Sequence, residues 1–356
     1  FSGKGHVTFK KLIGKLAING TNYTLVNSIA SLAAAIHGKP SGDYALASNY
    51  DAGKDGTYSN SPIQTTFTGA FEGLGSAISN LTITVRGVSG QALPIALFAE
   101  IGTDGMASDL HLERANVSVQ KLRGIHSSVS LGILAAVNEG SLSRISVSGS
   151  VAAPRTSWIG GLVGSNVGTI SESSSAVEVN LQNAMGVKIA GSLVGLNQGV
   201  LVRSYAIGSV TEYSGSNSAT AGLVGETYST SQISDCYATG NASGNAAGGL
   251  IGVNDGAIEN SYSTGEPSGV DGTGGLLGAD GSATGSLTNT YWNTTTSGIT
   301  NLSQGAGNIA NDPGITGLTT QQLQSGLPAG FDPSIWGESA NVNNGMPYLL
   351  ANPPPK

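Results

Sequence analysis

Residue types that could carry chemistry are sparse in this chain and form no catalytic pattern. The four histidines, His6, His37, His111 and His126, never fall at the spacing of metal ligands, and the sequence has no His-Glu-x-x-His motif of a zinc peptidase. The single cysteine, Cys236, excludes an intramolecular disulfide and is interpreted as a structural residue. We therefore expect no metal, no cofactor and no enzymatic activity.

Acidic residues leave one enzymatic alternative open. Hydrolysis of a sugar chain needs two carboxylates about 5–10 Å apart, and neighbouring copies of the repeat described below carry Asp235, Asp255, Glu259 and Asp280. Polysaccharide-cleaving enzymes gather such residues with basic and aromatic side chains in a groove, whereas these four are isolated on predicted turns. The alternative function is a carbohydrate-active enzyme, a polysaccharide lyase or hydrolase.

Two further patterns fall short of a site. Asp51, Asp55 and Gly56 suggest a calcium-binding loop, but the spacing of an EF-hand and its glutamate at the twelfth position are missing. Asn-x-Ser/Thr phrases would be glycosylation acceptors in a suitable secretion system, and in a chain this rich in Asn, Ser and Thr we interpret them as chance. They begin at Asn22, Asn80, Asn116, Asn241, Asn293 and Asn301.

The elements that would position any site are repeats. A Gly-Leu-Val-Gly phrase, or a near copy, recurs five times, and its leucines are 31, 30, 27 and 26 residues apart, a period typical of structural units that stack. We expect these leucines to form one interior column. The repeated residues are Leu162, Leu193, Leu223, Leu250 and Leu276, with the glycines Gly164, Gly195, Gly225, Gly252 and Gly278.

A second phrase places a tyrosine four residues after an aliphatic residue. Residues i, i+2 and i+4 share one face of a strand, so Ile233 and Tyr237 are expected to point the same way, with Cys236 opposite. Sharing a face with the aliphatic residue favours the core, and the alternative is an exposed sugar-binding strip. The column contains Tyr205, Tyr237, Tyr262 and Tyr291.

These patterns predict an all-β fold, a right-handed parallel β-helix (β-solenoid) of about seven or eight coils with short helical caps. The hand of the coil is not fixed by the sequence alone. Asn and Gly at the joints, as at Asn166 and Gly168, suit sharp corners. Four regions are expected: N-terminal strands, helix and loop (1–62), irregular coils (63–155), regular repeats (156–298), and a capping segment with a Pro-rich tail (299–356).

Local signals predict the elements at the two ends. Asn19-Gly20 indicates a hairpin, and a helix is expected through Ile29, Leu32, Ala33 and Ile36, capped by Asn27 or Ser28 and ended by Gly38. Thr319 to Gln322 reads as a capping box before a short helical turn. We expect the first helix and the bulky segment from Phe331 to Leu350 to cover the two ends of the solenoid, which favours a monomer.

The repeats resemble a known motif. Residues 160–166 and 248–254, with their Ser-Tyr-Ser-Thr-Gly and Cys-Tyr-Ala-Thr-Gly continuations, resemble the GLUG repeat of large bacterial surface and secreted proteins. That group includes filamentous-haemagglutinin-like exoproteins of two-partner secretion and some immunoglobulin A proteases. The flanking segments 67–73, 78–83, 291–293 and 318–350 are similar to parts of the filamentous-haemagglutinin-like proteins. The similar segments cover most of the chain from about Leu16 onward.

The resemblance implies a secreted or cell-surface, adhesin-like β-helix that mediates attachment or the formation of a matrix or filament. It implies a Gram-negative outer surface, a larger exoprotein of which this chain is a part, and an outer-membrane transporter during secretion. A host or matrix glycan or protein is the expected binding partner. Immunoglobulin A proteases with this repeat carry a separate zinc motif that this sequence lacks, so the resemblance does not imply peptidase activity.

Composition limits the function classes further. With 54 glycines but 39% hydrophobic residues, the chain can build a continuous core, so disorder is not expected. The net charge is −7 and no basic stripe interleaved with aromatics occurs, which argues against nucleic acid as a partner. No run of about 20 apolar residues indicates a membrane span. Phe1 starts the chain without a signal peptide, so we expect a fragment or a processed piece.

Overall fold

The computed structural model describes residues 5–86, 93–120, 129–153, 157–181, 187–212 and 217–355. In these ranges the chain forms a parallel β-solenoid of about seven turns, which confirms the predicted all-β fold. His126, Phe1 and the expected boundary between residues 155 and 156 lie outside the described residues.

One side of the solenoid is a seven-stranded parallel sheet to which successive coils contribute one strand each. Equivalent residues pair in register, so Val163 lies opposite Val194, which lies opposite Val224. The sheet follows from the repeated phrase, because each copy supplies the same short apolar strand. Its strands are Phe98–Ile101, Ala135–Asn138, Val163–Asn166, Val194–Asn197, Val224–Thr227, Ile251–Asn254 and Leu277–Asp280.

The other sides of the coils belong to a 26-stranded sheet, in which the first pairing is antiparallel and the later ones are parallel. Its strands are Leu16–Ile18, Thr21–Val26, Tyr44–Leu46, Tyr50–Asp51, Thr57–Tyr58, Ala70–Ser79, Thr82–Arg86, Leu93–Ile95, Met106–Gln120, Val129–Leu131, Ser141–Ala153, Ser157–Gly160, Thr169–Ser171, Ser174–Leu181, Lys188–Gly191, Val200–Val202, Tyr205–Ala206, Val210–Glu212, Ser218–Ala221, Gln232–Ser234, Tyr237–Ala238, Ala242–Gly248, Ala257–Ser263, Pro267–Gly274, Leu287–Asn293 and Ile315–Leu318.

One corner of every coil from residue 109 onward is made by a residue in the left-handed backbone region. The side chain of this corner residue points outward. Along the strand, side chains alternate between the inside and the outside of the coil, and this alternation shifts by one position after the corner residue. Such a backbone costs about 1–2 kcal/mol for most residues, yet the column includes two arginines. We call it the corner column: Asp109, Arg144, Glu172, Arg203, Asp235, Asn260 and Asn289, with φ between 46° and 53°.

The core runs without interruption along the inside of the coils. The five repeated leucines are fully buried in it, and the backbone N–H of each of the first four donates to the carbonyl of the next, from Leu162 to Leu193 at 2.9 Å and onward to Leu276 at 2.8–3.1 Å. A buried asparagine ladder borders the core. Asn138 Nδ2 donates to Asn166 Oδ1 at 2.7 Å, and Asn166 Nδ2 donates to Asn197 Oδ1 at 2.7 Å.

The N-terminal end is closed by the predicted helix. An α-helix spans Ile29–Gly38, and Ser28 caps it by accepting from Ser31 N at 3.0 Å. Its buried residues Ile29, Leu32 and Ile36 join the interior core, so the helix covers the first coil. The predicted hairpin is also confirmed, since Leu16–Ile18 and Thr21–Val26 pair antiparallel around Asn19-Gly20.

The C-terminal residues take a different course from the one expected. The predicted capping box is present, with Thr319 and Gln322 at the start of an α-helix over Thr320–Leu323. The bulky residues that follow do not close the end of the solenoid. Residues 326–355, here called the C-terminal segment, run back along its side, with a 3-10 turn at Asn343–Gly345 and an antiparallel pair of strands, Trp336–Gly337 and Tyr348–Leu349. A further 3-10 helix spans Ala52–Asp55.

Candidate functional site on the outer face

The outer face of the solenoid is organised by a column of side chains that lie two residues after the corner column. Neighbours in this column are register partners on adjacent parallel strands, so they project side by side. The residue types change along the axis, from small and polar to aromatic. We call this the outer column: His111, Ser146, Ser174, Tyr205, Tyr237, Tyr262 and Tyr291.

The aromatic half of the outer column is a stacked tyrosine ladder. The rings of Tyr205 and Tyr237 lie 4.8 Å apart with planes 7° from parallel, and those of Tyr237 and Tyr262 lie 5.3 Å apart at 12°. Trp336 and Phe331 of the C-terminal segment pack against these rings. The tyrosine rings therefore lie on the outer face of the coils, where the C-terminal segment buries them.

This placement differs from the predicted one in a specific way. Ile233 and Cys236 both lie in the interior core, whereas Tyr237 lies in a separate cluster with the C-terminal segment. The cause is Asp235, whose left-handed backbone at φ 51° shifts the alternation between Ile233 and Tyr237. The prediction that these two share a face, with Cys236 opposite, is wrong, and the ladder is neither interior core nor an exposed strip.

Polar contacts fix the C-terminal segment on the ladder. Trp336 Nε1 donates to Asp235 Oδ1 at 3.0 Å, Tyr262 Oη donates to the Pro347 carbonyl at 2.5 Å, and Tyr291 Oη donates to the Ala329 carbonyl at 2.9 Å. Burial raises the pKa of Tyr237 and of Tyr262 well above the usual value. The hydroxyl of Tyr237 has no hydrogen-bond partner among the described residues.

The polar half of the outer column borders an open groove. The groove has a volume of about 360 Å³ and includes Ser146, Ser174, Tyr205 and Pro355 among its lining residues. The groove exists because the outer column has serines, Ser146 and Ser174, where the later coils have tyrosines. The space that tyrosine rings fill in those later coils is therefore open here. Pro355 at its edge is the described end of the C-terminal segment, which thus leads into the groove.

A histidine and a serine meet beside this groove. His111 Nδ1 lies 2.6 Å from Ser146 Oγ, and the two residues are register partners on neighbouring strands. Burial lowers the pKa of His111, against the opposing effect of the Glu113 and Asp109 carboxylates. His111 is therefore neutral at pH 7. The sequence analysis placed it among the scattered histidines, because its partner is 35 residues away.

The corner column carries alternating charges along the same face. Arg144 donates to both oxygens of Asp109, at 2.7 and 2.6 Å, and Arg203 lies 3.5 Å from Glu172. The Asp109 contact raises the pKa of Arg144. These pairs offset the cost of left-handed arginines, and they place both signs of charge in the corner column.

Two carboxyl groups, those of Asp280 and Asp312, lie close together at the far end of the asparagine ladder. Asn254 Nδ2 donates to Asp280 Oδ1 at 2.8 Å, and Asp312 lies against Asp280. Burial and then the Asp280 charge raise the pKa of Asp312 to about 6. The sequence analysis named Asp280 but missed Asp312, which lies beyond the repeats and shows no periodic signal.

The remaining predicted chemistry is engaged in local structure. Asp55 accepts from the hydroxyls of Tyr50 and Tyr58, and Asp51 accepts from Asn80 Nδ2 at 2.8 Å. Cys236 is fully buried, and burial raises the pKa of its thiol. Within the described ranges no group of three or more His, Cys, Asp or Glu could hold a metal, and no helix is long and apolar enough to cross a membrane.

The repeated glycines lie where two sheets approach closely. A Cβ on Gly195 would lie 2.5 Å from Ile159 N, and one on Gly225 would lie 2.5 Å from Ala190 N. Side chains at these positions would push the seven-stranded sheet away from the strands across the coil. The phrase Leu-Val-Gly thus combines a buried leucine with a close backbone contact.

Comparison with known proteins supports the repeat. The family model of the GLUG motif matches residues 216–243 and 243–266, so the chain carries GLUG repeats. Halomucin of Haloquadratum walsbyi is 33% identical over 113 residues, which is 31% of this chain and 1% of halomucin. The chain therefore corresponds to a very small part of this relative.

A solved structure shares the fold. A crystal structure described as "a putative immunoglobulin A1 protease from Bacteroides ovatus" matches over 93% of both chains with a TM-score of 0.51 and 16% identity. Another, described as IgA1 protease, is also 16% identical and matches 76% of this chain and 21% of its own length, with a TM-score of 0.44.

These comparisons correct one prediction and leave another unsupported. The expectation that the chain has no enzymatic activity is contradicted, because a protein with this fold along nearly its whole length carries the name of a protease. At 16% identity the likeness shows the fold and identifies no reaction for this chain. The resemblance to filamentous-haemagglutinin-like proteins is not shown by these comparisons.

Proposed function

We propose that this chain is a secreted or cell-surface β-solenoid of adhesin type that attaches to an extended ligand through its outer face. The observation that carries the proposal is the groove of about 360 Å³ beside Ser146 and Ser174, at the point where the tyrosine ladder stops. Hydroxyl, imidazole, guanidinium and carboxylate groups lie along this face and could satisfy the polar groups of an extended chain.

The course of the C-terminal segment favours a polypeptide ligand. Tyr205 Oη lies 3.5 Å from the Pro353 carbonyl, Pro354 is buried, and Pro355 lines the groove. Proline-rich chains are extended before they bind, so they lose little conformational entropy on aromatic-lined surfaces. An extended, proline-containing segment of a host or matrix protein fits the part of the groove that Ser146 and Ser174 line.

The cellular setting is part of the same proposal. GLUG repeats at residues 216–266 support a secreted or surface β-helix. Two-partner secretion is proposed from the resemblance of the flanking segments to filamentous-haemagglutinin-like proteins. On this view the chain belongs to a larger exoprotein, crosses the outer membrane of a Gram-negative bacterium with a transporter, and contributes to attachment or filament formation.

Filling the groove tests the binding site. Ser174→Tyr adds one rung to the tyrosine ladder, so it should occupy the groove without disturbing the fold. We expect the wild type to bind an immobilised decaproline peptide in surface plasmon resonance, and Ser174→Tyr to weaken binding at least tenfold. Val167→Tyr is the control, because Val167 is exposed and does not line the groove. Binding to a Gly-Ser peptide of equal length, or equal binding by both variants, would contradict the proposal.

A further inference from the structure

We propose that Ser146 and His111 form a nucleophile and general-base pair that hydrolyses a carboxylic ester or amide in the groove. This inference concerns a reaction, and therefore goes beyond attachment. It rests on the contact between Ser146 Oγ and His111 Nδ1 at 2.6 Å, on the edge of an open groove.

The strands hold the two side chains in position. His111 and Ser146 occupy equivalent sites on Met106–Gln120 and Ser141–Ala153, which pair in parallel register through Leu110 and Leu112 on either side. Those two leucines are buried in the core, so the imidazole between them projects outward from a fixed backbone. A nucleophile within hydrogen-bond reach of a base is the geometry that activates a serine.

The protonation state of the imidazole suits this role. Burial lowers the pKa of His111, while Glu113 and Asp109 act in the opposite direction. Asp109 is already held at both oxygens by Arg144, which reduces its effect on the imidazole. In the neutral tautomer that carries its proton on Nε2, His111 Nδ1 faces Ser146 Oγ and accepts the hydroxyl proton.

The reaction balances without an outside oxidant or metal. Ser146 Oγ attacks the carbonyl carbon of the ligand as its proton moves to His111 Nδ1, and the carbonyl oxygen becomes an oxyanion. When the C–O or C–N bond breaks, His111 returns the proton to the leaving oxygen or nitrogen. Water then attacks the acyl-Ser146 ester while His111 takes its proton. When the acyl C–O bond breaks, His111 returns that proton to Ser146 Oγ, which releases the acid and restores both side chains.

A cation at the groove can stabilise the negative charge that develops. Arg114 lines the groove, and Arg114 Nε donates to Asn80 Oδ1 at 3.0 Å, which orients the guanidinium. Its side chain is 66% exposed, so part of the guanidinium is accessible to a ligand. An oxyanion beside this group would be stabilised electrostatically.

Neighbouring serines provide matched controls. Ser148 and Ser174 line the same groove, but within the described ranges neither forms a hydrogen bond with a histidine. Ser148 Oγ instead accepts from Arg114 N at 3.2 Å. If the histidine contact creates the reactivity, these serines should not react although a ligand can reach them.

The test is labelling of the full chain with a fluorophosphonate, followed by peptide mapping. We expect phosphonylation at Ser146, loss of labelling in Ser146→Ala, and unchanged labelling in Ser229→Ala, which alters an exposed serine outside the groove. His111→Gln should slow hydrolysis of p-nitrophenyl acetate about 100-fold or more, and the wild-type rate should fall as His111 becomes protonated at low pH. Circular dichroism of each variant checks the fold.

Several results would overturn the inference. They are absence of labelling, labelling at Ser148 or Ser174, or equal rates for wild type and His111→Gln. If Ser146→Ala does not fold, the mapped site in the wild type decides. Decaproline binding is measured on the wild type separately: binding without labelling of Ser146 contradicts only this inference, whereas labelling of Ser146 without binding contradicts only the attachment proposal.

Discussion

At the scale of single residues, the asparagine ladder shows how a solenoid satisfies buried polar groups. Asn166 donates to one neighbour in the ladder and accepts from the other, and its amide also donates to the Gly168 carbonyl at 3.2 Å. The ladder changes composition at Thr227, whose hydroxyl donates to Asn254 Oδ1 at 2.7 Å. At the other end Asn138 Oδ1 has no partner among the described residues, since its register neighbour is Ile101.

Breaking this ladder should destabilise the protein. Asn166→Ala leaves the Asn197 oxygen without a donor and removes the acceptor of the Asn138 amide. We therefore expect the free energy of unfolding, measured in urea, to fall by about 2–4 kcal/mol. Asn245→Ala is the control, because Asn245 bonds Asp271 at an exposed site. Equal losses of unfolding free energy in the two variants would mean that the buried ladder contributes no more to stability than an exposed hydrogen bond does.

The raised pKa of Asp312 predicts a pH dependence of stability. In the unfolded chain the pKa of Asp312 has its ordinary value of 3.8, whereas burial and the Asp280 charge raise the pKa to about 6 in the folded chain. The folded state therefore binds the proton more tightly, and the contribution of Asp312 to stability is full below pH 3.8 and is lost as pH rises through about 6. Asp312→Asn should make the melting temperature less dependent on pH between these limits.

Asp332 provides a comparison of opposite sign. Hydrogen bonds from the backbone and side chain of Ser334 lower the pKa of Asp332. Its contribution is present above the unfolded value and is lost as pH falls through the folded one. Asp332→Asn should therefore lower the melting temperature at pH 7. If Asp312→Asn behaved in the same way, the assignment of the Asp312 and Asp280 pair would be wrong.

At the scale of elements, the periodicity of the sequence predicted the positions that recur in every coil. It did not predict the positions at which a single residue departs from the repeat. Leu162 and its equivalents lie in the core, and the helix from Ile29 to Gly38 begins at the expected cap. The outward position of Tyr237 depends on one backbone angle at Asp235, a residue type that occurs in many conformations. The contact between His111 and Ser146 joins different coils in a region where the motif is degenerate, so spacing did not reveal it.

The C-terminal segment should contribute strongly to stability through Trp336. Its indole is buried, packs on Tyr237 and Tyr262, and donates to Asp235. Trp336→Ala should lower the free energy of unfolding by about 3–5 kcal/mol. It should also bring the titration of the ladder tyrosines nearer to their usual pKa, as followed by ultraviolet difference spectra.

A residue from the same segment serves as the matched control for that variant. Leu350 is 46% exposed, so Leu350→Ala should change stability by less than about 1 kcal/mol. Similar losses for the two variants, or unchanged tyrosine titration in Trp336→Ala, would show that the segment does not protect the ladder.

At the scale of the whole molecule, the two ends of the solenoid differ. The first coil is covered by the N-terminal helix, whereas the C-terminal segment leaves the last coil and runs along the side. Open strand edges recruit further strands. A monomer was expected because both ends would be covered, but the N-terminal helix covers only one of them. At the other end, Ile315–Leu318 has one pairing partner, Leu287–Asn293, among the described strands.

Displacing the helix should convert the protein into a species that associates. Leu32→Asp places a charge in the core beneath the helix, and we expect light scattering to show oligomers or aggregates at concentrations where the wild type gives none. Ala34→Asp adds the same charge on the exposed side of the same helix and should behave as the wild type. A monomeric Leu32→Asp variant with unchanged circular dichroism would show that the helix is not a cap.

The lateral position of the C-terminal segment also limits how this chain can change length in evolution. A solenoid can gain or lose whole coils by duplication or deletion, each changing its length by about 4.8 Å. Between Tyr205 and Tyr291, however, the segment meets the solenoid at spaced points, with Ala329 at one and Pro353 at the other. An extra coil there would separate these points by one more rung, and the segment would no longer match them. Copy number is thus constrained beneath the segment and free to vary in the coils before Tyr205.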